Sequence, residues 1–113
     1  MTCLVVDLEH LSRYTGGDAA LNAEVLALFD AQANELVVRL QAILEARDAK
    51  SWKEVTHALK GAARGIGAFT LGDAAAAAEP VDLGDRMAAT AALQVLQRQT
   101  SAVQFFIKSY LSG

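Results

Sequence analysis

Hydrophobic positions along this chain recur at spacings of three and four far more often than two, a pattern that predicts helices nearly throughout. A short helix is predicted from Leu8 to Tyr14, with Asp7 as its N-cap and Gly16-Gly17 as its end. Asp18 can cap a long second helix, Ala19 to Arg47, whose stripe is Leu21, Val25, Leu28, Phe29, Leu36, Leu40, Ile43 and Leu44. A third helix is predicted to begin at Ser51, because Ser51-Trp52-Lys53-Glu54 matches a capping box; Gly65 and Gly67 weaken or end it. The fourth, Thr70 to Glu79, carries the alanine run Ala74 to Ala78, read as a tight packing surface, and Pro80 and Gly84 mark the turn after it. The last runs from Asp85 to Leu111 with Leu93, Leu96, Val103, Phe106, Ile107 and Tyr110 inward. Long helices joined by short links fold back on one another. The expected fold is therefore all-α: an antiparallel four-helix bundle with a short N-terminal cap helix, in one domain spanning residues 1–113.

The third helix carries the chemistry. At about 100° per residue, Trp52, Val55, Leu59, Ala62 and Ile66 fall on one side and form its core stripe. His57 falls almost opposite, flanked by Lys53, Lys60 and Arg64, with Gly61 one turn beyond it. A histidine satisfied inside the core would need the apolar face, so His57 is expected to face water within a basic stripe.

Each neighbour has a physical use. Free imidazole titrates near 6.5, so much of it is a neutral nucleophile at pH 7. Lysine and arginine attract phosphoryl oxygens. Glycine at position 61 leaves room for a partner to approach, although mid-helix it costs about 1 kcal/mol relative to alanine. Taken alone, the basic stripe reads as a solvated face and Gly61 as a packing concession.

Composition narrows the alternatives. With 113 residues and a net charge of −3 of mixed signs, the chain shows no bias toward nucleic acid. The single cysteine, Cys3, excludes an internal disulfide framework and a Cys-rich zinc site; it sits in an expected frayed terminus with no helper for catalysis. The N-terminus does not read as a signal peptide, and no apolar run reaches the roughly 18 residues of a membrane helix. A cytoplasmic location is expected. Glu54-Val55-Thr56-His57 has the Glu-x-x-His spacing of di-metal bundles, but it occurs once and turns outward, so no metal is expected. His10 lacks a basic or nucleophilic setting and is expected at the surface. No glycine-rich phosphate loop is present, so the chain is not expected to phosphorylate itself from ATP.

The run His57-Ala58-Leu59-Lys60-Gly61-Ala62-Ala63, followed in register by Gly67 and Leu71, resembles the signature of histidine phosphotransfer (HPt) domains. That signature is an acceptor histidine followed at fixed spacings by Leu, Lys and Gly, then by a second Gly and a second Leu. Upstream, Asp7-Leu8, Thr15-Gly16-Gly17-Asp18 and Asp48 before the histidine helix are also similar to the family, so the likeness covers nearly the whole chain. One departure is visible: the family often has Leu-Glu further on, where this chain has Ala78-Glu79 and then Pro80, which suggests altered packing of the fourth helix.

The resemblance implies a phosphorelay intermediate of the bacterial type. His57 would accept a phosphoryl group on Nε2 from an aspartyl phosphate of a receiver domain, as in a hybrid sensor kinase. It would pass the group to the receiver of a response regulator. Lys60 would help neutralise the phosphoryl charge and Gly61 would give clearance; the face argument adds Lys53 and Arg64 as docking residues. No cofactor of its own is implied, since Mg²⁺ belongs to the partner receiver, and the protein would be a carrier rather than an independent enzyme. A free-standing monomer is expected. The alternative is a non-phosphorylated HPt-like module that binds and modulates a receiver or sensor kinase.

Overall fold

The computed structural model describes residues 5–113, so Cys3 and the reading of the extreme N-terminus lie outside the described residues. The described elements are five helices: α1 (Leu8–Thr15), α2 (Ala19–Ala46), α3 (Ala49–Gly65), α4 (Phe69–Ala78) and α5 (Arg86–Leu111). Helices α2 to α5 pack as a closed square, each touching its two neighbours in the ring, and α1 lies against α2. The long helices α2 and α5 set the long axis of a body measuring 45 × 29 × 22 Å.

Aspartate starts four of these helices. Asp7, Asp18, Asp48 and Asp85 each accept hydrogen bonds from backbone N–H groups of the first turn, which would otherwise lack partners. This moves the start of the third helix. The predicted cap Ser51 lies inside α3, and Asp48 is the N-cap. Its carboxylate accepts from the Ser51 backbone N–H at 3.1 Å and from the Ser51 hydroxyl at 2.6 Å. Those bonds, the hydroxyl's first, hold the Asp48 carboxyl below its ordinary value. Glu54 is thereby freed from the capping box and instead approaches Lys50 at 3.9 Å.

The long helices bury regular seams. In α2 the buried positions are Asn22, Leu26, Phe29, Ala33, Leu36 and Leu40; in α5 they are Ala89, Leu93, Leu96, Thr100, Val103 and Ile107. Both alternate spacings of four and three, the knobs-into-holes pattern of bundles. The predicted α2 stripe picked the bulky residues and so included Leu21 and Leu28, which are exposed, while missing Leu26 and Ala33, which are fully buried. Size alone does not mark the seam: Leu26 and Leu28 are equally large, yet one is buried and the other exposed, and small Ala33 lies on the buried face. In α5, Phe106 and Tyr110 flank the seam and are only partly buried.

Helices α3 and α4 meet through small residues. Ala63, Ala75 and Ala78 are buried at their contact, together with Gly72, Leu59 and Leu71. The alanine run is thus a packing surface on its Ala75 and Ala78 face. Gly67 makes the sharp link between the two helices, with φ of +84°, a region that suits glycine. Its carbonyl accepts from the Asp7 N–H at 2.9 Å, and a Cβ there would lie 2.5 Å from the Asp7 carbonyl oxygen. This contact ties the leader of α1 to the α3–α4 corner.

Candidate functional site

His57 stands in the middle of α3 with its side chain 68% exposed, opposite the buried Trp52, Val55 and Leu59 of the same helix. Beside it Thr56 is fully buried, its hydroxyl donating to the Trp52 carbonyl at 2.8 Å, so this polar group is satisfied within the helix. The rotation expected from the sequence holds: the histidine looks outward and the core stripe inward.

Close approach of α3 and α4 brings Glu79, the residue that ends α4, beneath the imidazole. One carboxylate oxygen lies 2.8 Å from His57 Nδ1, and the other accepts from Lys60 Nζ at 3.1 Å. Glu79 is only 18% exposed and Lys60 22%, so both pair partners are partly withdrawn from water. Lys60 first, then His57, holds the Glu79 carboxyl below its ordinary value of 4.5. An ionised carboxylate can only accept hydrogen bonds, so Nδ1 must carry the hydrogen. In the neutral ring the lone pair then sits on Nε2, at the far edge of the imidazole. Among the described residues Nε2 has no hydrogen-bond partner. The arrangement is a nucleophilic nitrogen presented to solvent, with its tautomer set from behind.

The remaining predicted residues separate. Lys53 is exposed and shares a shallow groove beside the histidine with Lys50, Glu54, His57 and Glu79. Gly61 is exposed, and a Cβ built on it would meet nothing within 4 Å, so nothing in the fold itself asks for glycine there. Arg64 lies two turns from His57 on the same face, but is drawn over α4. Its stem passes Gly72 so closely that a Cβ at that glycine would lie 2.7 Å from Arg64 Cγ, and its guanidinium reaches Asp73 at 3.5 Å. His57, Lys60 and Glu79 therefore form one connected group, with Lys53 and Arg64 at its margins. Glu54 is exposed beside the groove, and among the described residues no three metal-capable side chains converge. His10 is half-buried rather than simply solvated, with its ring edge-on to Tyr14 and to Phe69.

Sequence reasoning noticed Glu79 only as part of a family pair and missed its contact with the histidine. The usable signal was register: in an antiparallel hairpin of α3 and α4, a residue just before Pro80 returns to the level of His57.

The family model for the Hpt domain matches residues 24–105, from within α2 to near the end of α5. Among solved structures the chain is similar to histidine-containing phosphotransfer protein B (HptB) from Pseudomonas aeruginosa PAO1. The two are 20% identical, cover 96% of this chain and 95% of that one, and superpose with a TM-score of 0.79. At that identity the likeness speaks for the fold. No curated protein matches significantly.

The depressed Glu79 carboxyl links stability to pH. A group whose folded pKa is lowered stabilises the fold above its ordinary value and loses that contribution as pH falls through the folded value. The stability difference between wild type and Glu79→Gln, measured by urea unfolding, is expected to be present at pH 7 and to shrink as pH falls below 4.5.

Proposed function

The chain belongs to the Hpt domain family, and on that premise we propose that it is a phosphorelay carrier whose acceptor is Nε2 of His57. The observation that carries this reading is the outward imidazole whose Nδ1 is held by Glu79 at 2.8 Å. Nε2 attacks the phosphorus of a receiver's aspartyl phosphate; the N–P bond forms, the P–O bond to the aspartate breaks, and the electron pair leaves with the aspartate carboxylate. Because Nε2 carries no proton, the step needs no base to remove one. The ring gains positive charge as the bond forms, and the Glu79 carboxylate behind it compensates that charge. Transfer onward to a second receiver is the same step reversed.

The other residues serve that exchange. The Lys60 ammonium has three donors and spends one on Glu79, leaving others for phosphoryl oxygens. The receiver brings the acidic pocket and Mg²⁺; this chain contributes the nucleophile and the docking face. Lys53 and Arg64 lie on that face and complement an acidic rim. The partners are the receiver domains of a hybrid sensor kinase and of a response regulator. The carrier acts as a monomer in the cytoplasm, without nucleic acid; no described helix is long and apolar enough to cross a membrane.

Incubation with a panel of phosphorylated receiver domains is expected to give rapid, acid-labile labelling of the wild type and none of His57→Gln. Lys53→Glu or Arg64→Glu is expected to slow association by about tenfold, with the effect fading in high salt. A folded wild type that takes no label from any receiver would favour the non-phosphorylated binding module instead. Gly61 gives a separate check. Gly61→Ala is expected to stabilise the free protein by about 1 kcal/mol in urea unfolding, since its Cβ meets open space, and yet to slow transfer because the partner loses clearance.

A further inference from the structure

Glu79 must hold two hydrogen bonds from the point where the helical ladder of α4 stops. It is the last turn of α4, and Pro80 after it supplies no N–H to continue the ladder. A residue preceding proline ordinarily leaves the helical region, yet Glu79 keeps helical angles of φ −55° and ψ −46°. Its own N–H still donates to the Ala75 carbonyl at 3.0 Å, so α4 holds it from the N-terminal side only and the support beyond it comes from elsewhere.

The neighbouring carbonyl carries that support. Ala78 oxygen accepts from the Val81 N–H at 3.1 Å and from the Trp52 indole Nε1 at 2.9 Å. Trp52 and Ala78 are each only 1% exposed, so the indole bond forms out of reach of water. Helix α3 therefore grips one short stretch of chain twice: from its core face, Trp52 holds the Ala78 carbonyl, and from its outer face His57 and Lys60 hold the adjoining Glu79 carboxylate.

We propose that Trp52 is a positioning residue for phosphoryl transfer: its indole N–H, by fixing the Ala78 carbonyl, sets the Glu79 carboxylate against His57 Nδ1. This deepens the carrier reading and rests on it. Trp52 touches no reacting atom and acts through Glu79 alone.

The test is Trp52→Phe, which keeps an aromatic ring and removes the donor, read by the ring ¹⁵N shifts of His57 and by the transfer rate from a phosphorylated receiver. His10 is an internal control whose ring signals should stay unchanged. The wild type is expected to hold its hydrogen on Nδ1. In Trp52→Phe that population is expected to fall, with transfer slowed about tenfold by loss of orientation. In a Glu79→Ala background, which leaves no acceptor for Nδ1, Trp52→Phe is expected to add no further loss, because the two act in series. A folded Trp52→Phe with the wild-type tautomer overturns the proposal, as does a further rate loss in the Glu79→Ala background. If phenylalanine does not support folding, benzothienylalanine at position 52 keeps the bicyclic shape without the N–H and is read the same way. A wild type that is not labelled by any receiver removes the carrier reading, while the tautomer comparison still decides whether Trp52 sets the Glu79 carboxylate.

Discussion

The half-buried carboxylate of Glu79, shared between His57 and Lys60, is the interaction on which the site depends. A histidine alone on the outer face of a helix has two interchangeable nitrogens and a freely turning ring. With a carboxylate 2.8 Å from Nδ1, the ring has one hydrogen-bearing edge and one nucleophilic edge. Lys60 favours the ionised form of that carboxylate and holds it in place, so the lysine acts on the histidine through Glu79.

This geometry requires α3 and α4 to lie close, and the composition of their contact provides it. Ala63, Ala75, Ala78 and Gly72 are small and lie among the buried positions of the two helices, beside the larger Leu59, Leu71 and Trp52. Helix α4 is short and begins without a side-chain cap. Fixed points at its two ends compensate: the Gly67 corner pinned to Asp7, and the Ala78 carbonyl gripped by Trp52. Stability and chemistry meet in one hairpin, whose inner face folds the protein and whose outer face presents the nucleophile.

Much of this was legible in the sequence, and the reasons are specific. The outward direction of His57 followed from helical rotation alone, because Trp52, Val55 and Leu59 leave only one side for the core. The bundle followed from helix lengths and short links. The third helix's start was misread because Ser51 and Asp48 both make good caps, and only the three-dimensional arrangement reveals that the carboxylate captures the serine. The α2 face was misread because bulky Leu28 is exposed while Ala33 is buried. The Glu79 bridge and the Trp52 bond join residues 22 and 26 positions apart, beyond what periodicity within one helix can indicate; the smaller residue at Ala78 signalled altered packing without naming the partner of its carbonyl.

The central claim is that Glu79 leaves Nε2 of His57 as the reacting atom, and the identity of the phosphorylated nitrogen tests it most directly. After transfer from a receiver to ¹⁵N-histidine-labelled protein, ³¹P–¹⁵N coupling by NMR should assign the phosphorus to Nε2 of His57, with Nδ1 facing Glu79. Phosphorus bonded to Nδ1 of His57, or to His10, would contradict the account.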